Sequence, residues 1–142
     1  MTIARILDRR QQDIVSCQPH TTVEEAARML AARRIGAMPV LENGRIAGIF
    51  SERDLLYSIS QQGLEALVRQ VGEVMTAPAI TVEPDTGVIE ALSLMTRRRI
   101  RHLPVERAGR MIGIVSIGDL VKYRIELAEA EAEQMREYIR TA

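Results

Sequence analysis

Residues 21–55 and 86–120 are two copies of one sequence. Sliding the chain against itself by 65 positions matches Thr21, Val23, Glu25, Ala26, Arg33, Arg34 and Ile35 with Thr86, Val88, Glu90, Ala91, Arg98, Arg99 and Ile100. Further on, Pro39, Val40, Gly44, Arg45, Gly48, Ile49, Ser51, Asp54 and Leu55 match Pro104, Val105, Gly109, Arg110, Gly113, Ile114, Ser116, Asp119 and Leu120. The copies agree at 16 of 35 positions without a gap. Self-similarity at a fixed offset marks a duplicated structural unit. Whatever one copy folds into, the other must fold into as well. A unit of about 60 residues buries little core alone. Two units related by a pseudo-twofold axis can pack their small sheets together and bury both apolar faces.

Each unit reads as β-α-β-β-α. "IVSCQPHT" and "AITVEPDT" are short strands that lead through Pro19 or Pro84 into a helix. Thr21 with Glu24 forms a capping box at that helix start, whereas Thr86 keeps the cap and Ile89 supplies no carboxylate. Val23, Ala26, Ala27 and Leu30, and likewise Val88, Ala91, Leu92 and Met95, recur at helical spacing. "MPVLENGRIAGIFS" then reads as strand, Asn43-Gly44 turn, strand, the strongest short hairpin signal there is. "LPVERAGRMIGIVS" repeats it with Ala108-Gly109 at the turn. Asp54 and Asp119 are placed as N-caps of the second helix of each unit. "QQGLEALVRQVGEVMTAP" joins the units, with "LEALV" helical and Gly72 and Pro78 punctuating the passage. The fold class is therefore α/β (α+β), two β-α-β-β-α repeats plus a C-terminal helix. The expected division is 1–70 for the first repeat with its connecting helix, 71–125 for the second, and 126–142 for a helical extension.

Composition narrows the function classes. Apolar residues make up 46% of the 142, yet only three Tyr and one Phe are aromatic, so the core is aliphatic. Nineteen Lys and Arg balance nineteen Asp and Glu, which points to neither a nucleic-acid binder nor an acidic tail. The arginine-rich "RRRIRH" at 97–102 has no aromatic neighbour on which a base could stack. Arg98 and Arg99, like Arg33 and Arg34, complement a helix C-terminus; Arg101 and His102 have no counterpart in the first unit. The single cysteine, Cys17, allows no internal disulfide. No apolar run approaches the roughly 20 residues of a membrane-spanning helix, and the charged N-terminus is no signal peptide. A soluble cytoplasmic protein is expected, with no nucleic-acid or membrane partner. His20 and His102 are too few for a metal site. Met29, Met38, Met95 and Met111 fall at core spacing. Cys17 and His20 in "SCQPH" lack a third partner, so no catalytic set is visible.

The chemistry sits in the repeated "GIFSERDL" and "GIVSIGDL". A Ser ending a strand, three positions before an Asp at a helix start, sets two polar groups beside free backbone N–H donors. Such a helix start attracts anions, and a carboxylate accepts hydrogen bonds from the vicinal diol of a ribose. Gly48 and Gly113 permit close backbone approach. The plainer reading is that Ser and Asp only cap the helix.

"IGAMPVLENGRIAGIFSERDL" (35–55), "VGEVMTAPAITVEPDT" (71–86) and "IRHLPVERAGRMIGIVSIGDL" (100–120) together resemble a tandem pair of cystathionine-β-synthase-type (CBS) domains, a Bateman module, over residues 3–122 or so. The resemblance implies inter-repeat clefts for adenosine-containing ligands, with AMP the leading choice and ADP, ATP, NAD(H) or S-adenosylmethionine the others. It implies regulation rather than catalysis. In the second repeat Ser116 and Asp119 match the family's hydroxyl and ribose-binding carboxylate. Arg101 and His102 match phosphate-holding positions, and Thr81 and Leu103 line the base and ribose pocket. In the first repeat Ser51 and Asp54 match, beside Ala37 and Met38. Gly36 and Ala37 stand where a charged pair is common, and Arg53 is the remaining cation. The second repeat is thus the better site.

"LVKYRIELAEAEAEQMREYIRTA" follows Asp119 with no Gly or Pro. Val121, Ile125, Ala128, Ala132, Met135 and Ile139 step by four and three, a coiled-coil seam flanked by Glu126, Glu129, Glu133, Arg136 and Arg140. A homodimer to which this helix contributes is expected, against the alternative of a helix folded back on its own domain. The leading function is a non-catalytic regulatory module that signals adenine-nucleotide levels to a separate protein. The alternative is a structural dimerisation module with vestigial sites.

Overall fold

Asn43-Gly44 and Ala108-Gly109 turn the chain with all four residues at positive φ (53°, 78°, 52° and 78°), the backbone that a two-residue hairpin turn demands. The computed structural model describes residues 2–8 and 14–141. A short helix α1 (Ile3–Asp8) leads into the first copy, built of α2 (Val23–Arg33), β1 (Ala37–Glu42), β2 (Arg45–Ser51) and α3 (Glu52–Gln62). A 3₁₀ helix (Gly63–Val68) and α4 (Val71–Val74) make the connection. The second copy is α5 (Val88–Arg98), β3 (His102–Arg107), β4 (Arg110–Ser116) and α6 (Ile117–Thr141). Every repeated element begins 65 residues after its counterpart, and only α6 runs on past its equivalent's end.

β1 pairs antiparallel with β2, and β3 with β4, each as a two-stranded sheet. The registers correspond, from Ala37↔Ser51 and His102↔Ser116 to a shift between Val40/Leu41 and between Val105/Glu106. Ala37 to Val40 are all buried because both faces of the hairpin are covered.

The strand expected ahead of each first helix is reduced to one residue. Cys17 bridges Val40 in parallel, and Val82 bridges Val105. Two residues after each bridge a proline removes a donor, and the chain turns out of the sheet. Gln18 N–H donates to Thr21 Oγ1 (3.0 Å) and Glu83 N–H to Thr86 Oγ1 (3.1 Å). Thr21 and Thr86 therefore close turns and do not cap helices. The capping box belongs to Thr22 and Glu25, while the second copy has Gly87 at that cap with no side-chain bond. The expected helix "LEALV" is the 3₁₀ turn.

Two apolar cores result, one per repeat, and each takes in a segment from the other side of the connection. Ile3 and Ile6 of α1 lie in the second core with Val88, Met95, Leu103 and Val115. Val71 lies in the first core with Val23, Met38, Val40 and Phe50. The hydrogen bonds match: Ile3 N–H donates to Thr86 O and Ala4 N–H to Pro84 O, as Val71 N–H does to Thr21 O and Gly72 N–H to Pro19 O. At the hairpin tips the pseudo-twofold relation is explicit. A Cβ on Gly44 would lie 2.8 Å from Arg110 Nη1, and one on Gly109 3.1 Å from Arg45 Nη1. No helix among the described residues is long and apolar enough to cross a membrane.

Candidate functional site

Each Ser-x-x-Asp pair sits where a hairpin ends and a helix begins. Ser51 Oγ accepts from Asp54 N–H (3.2 Å), Ser51 N–H donates to Asp54 Oδ2 (2.9 Å), and Ser51 Oγ–H donates to the same oxygen (3.0 Å). The second copy repeats the reciprocal pair at 2.9 and 3.2 Å between Ser116 and Asp119. Ser51 is the cap and Asp54 the third helical residue, which corrects the expectation that the aspartates are N-caps. The helix starts also hold fewer open donors than expected. Glu52 N–H is taken by Gly36 O and Ile117 N–H by Arg101 O, both at 2.9 Å. What each helix start offers a ligand is chiefly its half-buried carboxylate.

The first-repeat site has a member that sequence reasoning missed. Thr76 Oγ1 donates to Asp54 Oδ1 (2.8 Å). Thr76 arrives because the connection doubles back on β2, where it exchanges two 2.9 Å backbone bonds with Ile49. A Cβ on Gly48 would come within 2.7 Å of Thr76 O, so the glycine there is what admits the connection. No local pattern announces that contact.

The second-repeat site gathers its groups from both copies. Gly36 is the repeat counterpart of Arg101, and the two meet: a Cβ on Gly36 would lie 3.7 Å from Arg101 Nη2 and 2.9 Å from Glu52 Oε1. The tight neighbour of Gly36 is Glu52 of its own copy, and Arg101 of the other copy reaches the same place at ordinary contact distance. His102 is half-buried next to Arg101. Burial, and then the charge of Arg101, push its pKa below the usual 6.5, while Asp119 and Glu52 pull the other way. Arg101, His102, Asp119 and Glu52 thus form one cluster across the boundary between repeats.

The other expected residues fall around this frame. Thr81 is half-buried next to Val82, and Arg53 is exposed on the first turn of α3. Met38 and Leu103 are fully buried within the two cores, and Ala37 is nearly so. An open cleft of about 660 Å³ between Cys17, Thr21, Glu25 and Asn43 contains no member of either Ser-x-x-Asp pair. Its carboxylate, Glu25, is engaged in the helix cap. Burial raises the Cys17 thiol to about 11, so it stays protonated and is no nucleophile near neutral pH.

The fold and these paired sites define a tandem CBS-domain module. Residues 5–61 and 71–126 both match the family described as CBS domain, and the chain belongs to that family. Over 128 residues it is 39% identical to the CBS domain-containing protein CBSX3, mitochondrial, of Arabidopsis thaliana, covering 87% of this chain and 62% of the plant protein, less than two thirds of its length. The crystal structure of the CBS-domain containing protein ATU1752 from Agrobacterium tumefaciens is 38% identical with a TM-score of 0.82, covering 87% of this chain and 99% of that one. The CBS domain protein PAE2072 from Pyrobaculum aerophilum, solved complexed with AMP, is 27% identical with a TM-score of 0.78, covering 93% and 99%.

Proposed function

We propose that the protein is a non-catalytic sensor that binds an adenosine-containing nucleotide, AMP foremost, in the cleft of its second repeat. The observation that carries this reading is the cluster of Arg101, His102 and Asp119, with Arg101 reaching Gly36 of the other copy. Asp119 receives the ribose diol, Arg101 and His102 hold the phosphate, and Thr81 borders the base. Relief of the Ser116–Asp119 bonds on ligand entry shifts the start of α6 and so reaches a partner protein. The AMP complex of the Pyrobaculum relative supports the ligand class. The first-repeat site, where Thr76 already occupies Asp54 and the cations are replaced by Gly36 and Ala37, is the weaker one. The protein works as a homodimer, and a cytoplasmic place suits a chain whose one cysteine is a free buried thiol.

A second reading, a dimerisation module with vestigial sites, is favoured by one observation: the helix-start donors and carboxylates already bond to one another. Thermal shift on nucleotide-stripped protein separates the two. AMP, ADP, ATP, NAD, NADH and S-adenosylmethionine are compared on wild type, Asp119→Ala and Asp54→Ala. Saturable stabilisation by one nucleotide, lost in Asp119→Ala and kept in Asp54→Ala, is the expected result. Silence for all six, in calorimetry as well, leaves the second reading.

A further inference from the structure

α6 is one unbroken helix of 25 residues, about 37 Å long at the usual rise. It docks on its own repeat through Leu120 and Tyr123, both buried, and through the partly buried Leu127. Val121, Ile125, Met135 and Ile139 are 43%, 53%, 61% and 67% exposed, an apolar line that the fold leaves open to solvent. In heptad terms Ile125, Ala132 and Ile139 are a positions, and Val121, Ala128 and Met135 are d positions. The docking residues 120, 123 and 127 are then c, f and c, on the opposite side of the helix. One face holds the helix to its repeat while the other is presented outward.

We infer that this outward face pairs with the same face of a second copy as a parallel, in-register, two-stranded coiled coil. The inference rests on the homodimer of the proposed function and adds its orientation. The apolar seam, with Ile125 and Ile139 at a and Val121, Ala128 and Met135 at d, suits two strands but does not choose their direction. The flanking charges then discriminate between orientations. In a parallel pair each g residue faces the e residue five positions on in the partner helix, which sets Arg124 against Glu129 and Glu131 against Arg136. Both contacts are attractive, and twofold symmetry doubles them. An antiparallel pair keeping the same apolar layers sets Glu129 against Glu129, Glu131 against Glu131 and Lys122 against Arg136, all repulsive. Arg136 also pairs with Glu133 of its own helix at 3.1 Å, but both side chains are more than half exposed and remain open to a second partner. Ala128 and Ala132 let the two backbones approach closely midway. The seam is under three heptads, so it fixes orientation and adds to contacts made elsewhere. Both modules then stand at the same end of the coil.

Single-cysteine cross-linking tests this on the full chain, because Met135 is exposed and Cys17 is buried. Met135→Cys is oxidised mildly at micromolar protein, and its dimer mass is followed beside sedimentation of the unoxidised protein. Rapid, near-complete self-cross-linking is expected. Glu131→Arg should weaken dimerisation several-fold, and Arg136→Glu in the same chain should restore it. A sedimenting dimer in which Met135→Cys cross-links only to Ile125→Cys overturns the parallel pairing and leaves the homodimer standing. A dimer with neither cross-link overturns the coil. A monomer overturns both the coil and the homodimer, while nucleotide stabilisation, read separately, is untouched by any of these outcomes.

Discussion

Ala108 occupies a backbone conformation that its side chain does not favour. Its φ is 52°, beside 53° for Asn43 in the other hairpin, followed in both by a glycine at 78°. A non-glycine residue in this region costs roughly 1–2 kcal/mol, and asparagine tolerates it best. Ala108→Asn should therefore raise stability by about 1 kcal/mol, read as a higher urea midpoint with an unchanged slope. His102 carries the second argument at this scale. Its folded pKa lies below 6.5 because of burial and Arg101, with Asp119 and Glu52 opposing. The unfolded chain then takes up the proton first, so stability is lost as pH falls below about 6.5 and levels off once the folded imidazole protonates too. Urea unfolding at pH 7.5 and 5.5 should show a larger loss for wild type than for His102→Gln. A phosphate held between Arg101 and His102 reverses part of this shift. The ligand's own phosphate protonates at about pH 6 in either protein, so AMP affinity should fall less, or rise, between pH 7.5 and 6 in wild type relative to His102→Gln; identical pH profiles for the two remove His102 from the phosphate site.

Among the elements, much was legible because the chain states them twice. The hairpin turns, helix spacing and Ser-x-x-Asp helix starts all follow from local pattern and recur in the structure at the same offset. What local pattern could not fix was which of two equivalent groups wins. "TTVEE" offers two overlapping capping boxes. Thr21 is drawn off by Gln18, while the bridge between Thr22 and Gln70 settles the helix start one residue later. Thr22→Ala should thus cost about 1 kcal/mol. Glu24 is in an exposed 3.0 Å ion pair with Arg28, and its replacement by Ala should cost about 0.5 kcal/mol or less. Equal losses in urea denaturation would return the cap to Thr21. The candidate site divides along the same line. Ser51, Asp54, Ser116 and Asp119 are written locally, whereas Thr76 and the meeting of Arg101 with Gly36 depend on chain segments that only the tertiary fold brings together.

Taken as a whole molecule, the duplication does not make two independent halves. Each repeat's sheet is closed over by the segment that precedes the other repeat, α1 on the second and α4 on the first. The two also lock arginines over one another's turn glycines. On the proposed function, a nucleotide in the second repeat would therefore act on a structure that begins at Ile3 as much as at Val82. Ile3 is fully buried in the second core and its N–H is bonded to Thr86 O at 3.0 Å. Ile3→Ala removes buried methyl and methylene groups that the surrounding core cannot fully collapse upon, a loss of about 2–5 kcal/mol. The loss should appear first in the distant part of the sequence. Native-state hydrogen exchange should show the amides of Val88–Arg98 and Arg110–Ser116 losing protection before those of Val23–Arg33, and AMP should restore it. Protection lost first in Val23–Arg33 would mean that the leading helix stabilises the repeat it precedes, and the exchange of segments would not govern how binding spreads through the fold.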